Sequence, residues 1–217
     1  MSSILRKYFD EMDIDISWYK KYSYAKTTTS NSKFDDLRKI ISKCEQCDLH
    51  KTRNKTVFGS GQLNSKIMII GEAPGKDEDE QGEPFIGRAG KLLDAFLQSI
   101  DLSREKVFIT NTVKCRPPDN RNPSLDELNQ CSSFLNSQIN AIRPKVLILL
   151  GKVAANSLLD NDSPMSDLRQ KKLFIDNHDI PVIVFYHPAY ILRSPLKKSE
   201  VWEDLKYLNN ILKENVC

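Results

Sequence analysis

Four short apolar runs, each followed by a segment with helical spacing, constrain the fold of this chain most strongly. The runs are KIMIIG at 66–71, KVFITN at 106–111, KVLILLG at 145–151 and IPVIVFYH at 180–187. Continuous apolar runs of this length are typical of strands buried on both faces. Helical spacing follows at 89–100, 124–142, 152–159 and 198–213. The alternation predicts an α/β fold, a three-layer α/β/α sandwich around a mainly parallel central sheet.

The carboxyl ends of these strands carry glycine or polar residues. The positions are Gly71-Glu72, Asn111, Gly151 and His187. Ligands of open α/β sheets bind in the crevice outside the carboxyl ends of the strands. We therefore expect these four strand ends to face one binding crevice.

Length and composition favour one domain with an N-terminal appendage. The 217 residues, 40% of them hydrophobic, are enough for one sizeable core and few for two. The polar stretch TTTSNS at 27–32 resembles a linker. We expect an appendage at 1–33 and the main domain at 34–217.

Charge and hydropathy narrow the class of protein. With 32 basic and 29 acidic residues the net charge is +3, so binding to a polyanion would depend on local clusters of charge. The sequence has no apolar run of 18 residues and no signal-peptide core at its start. We expect a soluble, cytoplasmic monomer that does not bind membranes.

Five cysteines in a chain without a secretion signal argue against a disulfide framework. Cys44 and Cys47 form a C-x-x-C, Cys115 follows the second predicted strand, and Cys131 lies 16 positions later on a predicted helix. Four thiolates can hold a zinc ion or a 4Fe-4S cluster. The open spacing of the second pair disfavours a zinc ribbon, and Cys115 and Cys131 can also be read as small buried hydrophobic residues.

Four motifs together resemble the family 4, or iron-sulfur, uracil-DNA glycosylases. They are the C-x-x-C at 44–47, GEAPGKDEDEQGEPFIGRAGKLLD at 71–94, NTVKCRPPDNRNP at 111–123 and HPAYILR at 187–193. The resemblance covers about residues 40–213. It implies a uracil-DNA glycosylase fold with a 4Fe-4S cluster held by Cys44, Cys47, Cys115 and Cys131. The implied activity is removal of uracil from double- or single-stranded DNA in base excision repair.

The resemblance also implies the residues that bind uracil. Phe85, in a loop flanked by glycines, would stack on the flipped base, although a core phenylalanine is the commoner role. Asn111 offers a donor and an acceptor that match uracil O4 and N3–H and mismatch cytosine. Ala73 would complete the uracil pocket, and His187 would donate to uracil O2 as the base leaves.

One carboxylate is expected to act near the sugar. Glu72 and Glu78 both lie in the matching motif, and either could orient the attacking water. By default, the run Asp77 to Glu80 would be a solvated acidic loop that repels phosphate. We therefore expect one functional acid in this run at most.

DNA contacts are expected on the loops around the crevice. Tyr190, Ile191 and Leu192 would form an apolar wedge for the gap left by the flipped base, and Arg193 would meet a phosphate. Further phosphate contacts are expected from Arg88, Lys114, Arg116 and Arg121.

Two alternatives stay open from sequence. The aromatic residues at 3–24 could dock on the domain, bind a replication or repair partner, or touch DNA. The chain could also be a non-catalytic iron-sulfur DNA-binding module of the same fold. The presence of Glu72, Phe85, Asn111 and His187 argues against the second alternative.

Overall fold

A computed structural model describes residues 30–159, 162–175 and 178–215. The aromatic segment at 3–24 and Cys217 lie outside these ranges, so expectations about them stay predictions. The first described helix begins at Ser30, inside the stretch that resembled a linker. Within the described ranges, no helix combines the length and apolarity that a membrane crossing requires.

The strands form one mixed sheet, as the mainly parallel pattern predicted. Its spatial order is β1-β3-β2-β4-β6-β5, and the central four strands run parallel while both edge strands run antiparallel. The strands are β1 (Ser60–Gly61), β2 (Ile67–Gly71), β3 (Phe108–Asn111), β4 (Val146–Leu150), β5 (Leu173–Ile175) and β6 (His178–Phe185).

Eight α-helices lie in the described ranges. They are α1 (Ser30–Ser42), α2 (Lys76–Gln81), α3 (Arg88–Gln98), α4 (Leu125–Ile142), α5 (Lys152–Leu159), α6 (Met165–Leu168), α7 (Pro188–Arg193) and α8 (Lys198–Asn215). Helix α4 begins with the capping box that its sequence predicts, because Ser124 and Glu127 exchange hydrogen bonds with each other's backbone N–H groups.

Successive residues of each buried strand pack into different cores. In β2, Met68 and Ile70 join the core that includes Phe134 of α4, whereas Ile67 and Ile69 join the core that includes Leu205 of α8. Alternation of side chains across a strand produces this division. Helices α1, α4, α5 and α6 contribute to the first core, and α3, α7 and α8 contribute to the second. The predicted three-layer α/β/α sandwich is confirmed.

The apolar pattern did not reveal the two edge strands. β5 has three residues, and only positions 176 and 177 separate it from β6. A connection of two residues can join antiparallel strands but is too short for a parallel crossover. β1 has two residues, Ser60 and Gly61, which is too short for a periodic signal.

The acidic run at 77–80 was expected to be a solvated loop, and that expectation is wrong. It lies in α2, and Asp79 is 1% exposed. The Asp79 carboxylate accepts hydrogen bonds from the backbone N–H groups of Asn54 and Lys55 and from the Asn54 side chain, the shortest at 2.7 Å. This carboxylate therefore links α2 by hydrogen bonds to the segment that precedes β1.

Replacing Asp79 with alanine should destabilise the domain, because it removes a buried carboxylate that accepts hydrogen bonds from Asn54 and Lys55. We expect the Asp79→Ala variant to lose about 2–4 kcal/mol of unfolding free energy, measured by urea denaturation. Glu80→Ala is the matched control, since Glu80 is exposed and pairs only with Lys76 at 3.9 Å. That control should change stability by less than about 0.5 kcal/mol, and equal losses in both variants would contradict the assignment.

Candidate active site and cysteine site

A pocket of about 310 Å³ opens at the carboxyl edge of the sheet. From β2 the chain passes to β3 on one side and then to β4 on the other, so the order of the sheet reverses beside β2. Crevices at such reversals are the usual ligand sites of open α/β sheets. The lining residues are Glu72, Ala73, Pro74, Gly75, Glu78, Phe85, Ala89, Asn111, Pro117, Asn120, Arg121, Asn122, His187, Ala189 and Arg193.

Asn111 presents an unpaired acceptor beside this pocket. The parallel register places it next to Gly71, and its side chain is 1% exposed. Its Oδ1 has no hydrogen-bond partner among the residues that the structure describes. Leaving a buried polar atom unpaired costs about 1–3 kcal/mol, so this oxygen is poised to accept a bond from a ligand.

Phe85 lies in the loop between α2 and α3, as expected, and it is both a core residue and part of the pocket wall. Its backbone has a φ of 54°, in the left-handed region. Arg104 holds this conformation by donating hydrogen bonds to the carbonyls of Pro84 and Phe85. Gly90 packs against the Phe85 backbone so closely that a Cβ there would lie 1.7 Å from the Phe85 carbonyl oxygen. The ring position is therefore set by its surroundings.

His187 is the N-cap of α7, and its ring lies beside that of Phe85, with ring centroids 5.7 Å apart. The backbone N–H of Ala189 donates to His187 Nδ1 at 3.2 Å. Burial, together with the charge of Arg193, lowers the pKa of His187 from 6.5 to about 4. At neutral pH the ring is therefore uncharged, and because Nδ1 accepts a hydrogen bond its proton lies on Nε2.

The two candidate carboxylates have different surroundings. Glu78 accepts hydrogen bonds from the backbone N–H groups of Gly75, Ile86 and Gly87, at 3.0–3.1 Å. Glu78 therefore holds the pocket loops together, and because it also lines the pocket, its expected role near the sugar stays a prediction. Burial raises the pKa of Glu72, an effect that the charge of Arg193 opposes. Glu72 is the pocket carboxylate that fits a proton acceptor.

The expected wedge after His187 is partly wrong. Ile191 is 0% exposed because it packs into the core beneath α7, so it cannot enter DNA. Tyr190 is half-buried and its ring lies 5.2 Å from that of Tyr186. Leu192 is exposed, and Arg193 is exposed at the pocket wall.

The remaining predicted cations lie in different places. Arg88 is exposed at the start of α3, outside the residues that line the pocket. Arg116 donates to the Asn120 side chain at 2.8 Å, and Arg121 forms a two-point ion pair with Glu127 while also lining the pocket. Lys114 was expected to contact phosphate, but it is 1% exposed and cannot.

Sequence reasoning missed the pocket wall formed by Asn120 and Asn122. Asp119 and Asn120 both have left-handed backbone conformations, with φ values of 55° and 54°. Asp and Asn tolerate this region better than most residues, so the Pro-Pro-Asp-Asn sequence could have indicated a tight turn. The turn brings residues 120–122 to the pocket that the strand ends form.

Four cysteines line a second, much smaller cavity of about 10 Å³. Cys44, Cys47, Cys115 and Cys131 all contribute, and the neighbouring lining is largely apolar. Burial raises the pKa of the thiols of Cys47 and Cys115, and that of Cys131 to about 11. Arg53 donates to the Cys115 sulfur at 3.2 Å. The donor set is therefore four thiols with a cationic N–H donor beside one of them.

No three metal-binding side chains in the described ranges converge on the position of a single ion. Tetrahedral zinc bound at about 2.3 Å would require sulfur atoms about 3.8 Å apart. The four thiols instead line one small cavity. Four cysteine thiols are a donor set that both an iron-sulfur cluster and a zinc ion can use.

The fold and pocket define an open α/β protein with an aromatic and polar pocket at the carboxyl edge of its sheet. The profile of the Uracil DNA glycosylase superfamily matches residues 58–206. The chain is 43% identical to a type-4 uracil-DNA glycosylase of Archaeoglobus fulgidus, over 82% of this chain and 92% of that protein. Type-4 enzymes of Pyrobaculum aerophilum and Sulfurisphaera tokodaii are 39% and 40% identical, over 78% and 82% of this chain and 89% and 85% of theirs. The chain belongs to the uracil-DNA glycosylase superfamily and, within it, to the type-4 uracil-DNA glycosylases.

The low pKa of His187 should appear in the pH dependence of stability. Between pH 6.5 and about 4 the unfolded chain binds a proton at His187 that the folded chain does not, so stability falls as pH falls through this window. His187→Asn removes the site. We expect the unfolding free energy of the wild type, relative to this variant, to drop by up to about 3 kcal/mol from pH 7 to pH 4. A difference that stays constant in urea titrations across this range would contradict a buried, neutral His187.

Proposed function

We propose that this chain is a uracil-DNA glycosylase that flips uracil out of DNA and hydrolyses its N-glycosidic bond, leaving an abasic site for base excision repair. The observation that carries this proposal is the unpaired Oδ1 of Asn111, which lies beside the same pocket as Phe85 and His187. A buried acceptor, an aromatic face and a neutral ring N–H donor together match the edge and face of uracil.

Base recognition rests on Asn111 and Phe85. Asn111 Oδ1 accepts from uracil N3–H while the amide N–H₂ donates to O4, and cytosine offers neither group at those positions. Phe85 supplies an apolar surface on which the ring stacks, and Ala73 lines the same pocket. A site that hydrogen-bonds a substrate group discriminates strongly against analogues that lack it.

Bond cleavage rests on His187 and Glu72. As the glycosidic bond breaks, negative charge develops on the base, and the Nε2–H of neutral His187 donates to uracil O2. The sugar becomes positively charged, and the Glu72 carboxylate stabilises it and orients the attacking water. Glu78 contributes indirectly by holding the loop that carries Phe85.

DNA binding involves the exposed residues at the mouth of the pocket. Arg193, which is exposed at the pocket wall, contacts a phosphate. Arg88 and Arg116 come directly before the pocket-lining residues Ala89 and Pro117 and contact further phosphates. Leu192 takes the role of the apolar wedge, because Ile191 is buried and Leu192 is exposed. Tyr190 supports this segment through its contact with Tyr186.

Cys44, Cys47, Cys115 and Cys131 hold a 4Fe-4S cluster. The thiols would bind the cluster as thiolates, and Arg53, which donates to Cys115 Sγ, would then face a charged sulfur. When bound, the cluster supplies a cross-link between the chain after α1, the segment after β3 and helix α4. The excision chemistry itself needs no electron transfer.

Replacing Asn111 with alanine should abolish most uracil excision. The oxygen that is lost has no partner in the protein, so stability should change little while the rate falls by at least about 100-fold. The assay is single-turnover cleavage of an oligonucleotide with one uracil, followed by alkali to break the strand at the abasic site.

Asn156→Ala is the matched control for this variant. Asn156 also has an unpaired Oδ1, but it lies outside the residues that line the pocket. Its excision rate should equal that of the wild type. A wild type that leaves uracil in place, or an Asn111→Ala variant that excises at the normal rate, would refute the proposed function or the proposed role of Asn111.

Replacing Cys115 with serine should remove the cluster. Protein purified without oxygen should contain about four iron and four sulfide per chain and absorb visible light. Cys115→Ser should lose iron, colour and stability, because the cavity loses a ligand. Cys217→Ser, which changes the fifth cysteine, should keep the iron, the colour and the stability of the wild type. One zinc per chain without iron would contradict the 4Fe-4S assignment.

A further inference from the structure

Lys114 is a fully buried cation between the pocket and the cysteine cavity. Its ammonium donates to Asn111 O at 2.6 Å, Gln138 Oε1 at 2.7 Å and Thr110 Oγ1 at 2.8 Å. Three acceptors match the three N–H donors of an ammonium group. All three acceptors are uncharged, so the buried ammonium has no carboxylate among its hydrogen-bond partners. Such a costly arrangement calls for an explanation beyond stability.

The acceptors belong to a buried polar network that crosses the fold. Gln138 on α4 donates through Nε2 to Phe58 O at 2.7 Å, and Thr110 donates to the same carbonyl at 2.9 Å. Lys114 is bonded to both of these side chains. The network therefore joins the end of β3, helix α4 and the segment before β1 around one ammonium group.

Within this network, the bond from Lys114 sets the position of Asn111. In the described part of the chain the oxygen of its side chain has no partner, so no hydrogen bond from there orients the amide before a base arrives. Its backbone carbonyl, however, accepts the shortest bond of the Lys114 ammonium. On the other side, Gly71 leaves the space in which the amide lies. The backbone at Asn111 is thus fixed by Lys114 while its side chain stays available to the base.

The same lysine touches the cysteine site. Lys114 lines the cavity of the four thiols. Only Thr112 and Val113 separate Asn111 from Lys114, and Cys115 comes next. One residue therefore bonds the strand end that carries Asn111 and also lines the second cavity.

We propose that Lys114 is a positioning residue for base recognition, which holds Asn111 at the uracil pocket and joins that strand end to the cysteine site. This inference rests on the proposed function and deepens it. Lys114 touches neither base nor sugar, so its effect on excision is transmitted through Asn111.

A double-mutant cycle tests this proposal. Single-turnover excision from a uracil-containing oligonucleotide is measured for the wild type, Lys114→Met, Asn111→Ala and the double variant. Lys114→Met should lower the wild-type rate by about 10- to 100-fold, the range expected for losing a hydrogen bond to a charged group. In the Asn111→Ala background the same change should have no further effect. A residue that supports the fold in general would lower both rates equally.

Thr110→Val is the matched control, because it removes one acceptor of the same ammonium and leaves the bond to Asn111 O in place. The excision rate of Thr110→Val should stay within about threefold of the wild-type rate, because the variant loses only a neutral hydrogen-bond acceptor away from Asn111. If Lys114→Met does not fold, as judged by urea denaturation, Lys114→Gln, which keeps an N–H₂ donor without charge, replaces it in the cycle.

The outcomes separate this inference from the proposed function. An active wild type with an unaffected Lys114→Met, or with equal losses in both backgrounds, overturns the role of Lys114 alone. A folded wild type that does not excise uracil overturns the proposed function, and the inference falls with it. If Lys114→Met lowers the excision rate only when Asn111 is present, the result supports both the role of Lys114 and the proposed function.

Discussion

The pocket depends on the missing side chain at Gly71. The parallel register of β2 and β3 places Gly71 beside Asn111, and a Cβ at Gly71 would lie 2.4 Å from the Phe85 ring and 2.5 Å from Asn111 Oδ1. No side chain can be accommodated at these distances. Glycine thus lets the aromatic ring and the amide occupy adjoining space at the strand end. Glu78 and Arg104 hold the Phe85 loop against that space, so the hydrogen bonds of this loop serve the same arrangement.

The segment from Asn111 to Cys115 unites the two sites of the molecule. Asn111 faces the pocket, Lys114 lies in the polar network, and Cys115 lines the cysteine cavity. A five-residue span has little freedom when its first residue ends a central strand and its last is held in a second cavity. Binding of a cluster by the thiols would therefore stabilise the backbone that carries Asn111, without any part in electron transfer.

Periodicity and strand-end chemistry predicted most of the fold and part of the site. The four central strands and the helices α3, α4, α5 and α8 follow from apolar spacing, and strand order explains why Asn111 and His187 meet. The sequence did not predict which charged and apolar side chains are buried or hydrogen-bonded within the fold. Glu78 and Lys114 are residue types that usually lie at the surface. In the fold, Glu78 accepts hydrogen bonds from the loop before α3, and Lys114 is buried and donates to Gln138. Ile191 turned inward because α7 packs on α3 and the core, which no local pattern reveals.

The central claim is that Asn111 Oδ1 accepts a hydrogen bond from N3–H of the base. Inhibition of excision by free uracil, 1-methyluracil and 3-methyluracil tests it directly. The methyl group of 3-methyluracil removes the N3–H donor and fills its space, whereas 1-methyluracil keeps that donor and carries its methyl where the sugar is attached. The account predicts that 3-methyluracil inhibits at least about tenfold more weakly than the other two, the effect of one lost bond at a buried acceptor. Equal inhibition by 1-methyluracil and 3-methyluracil would contradict it.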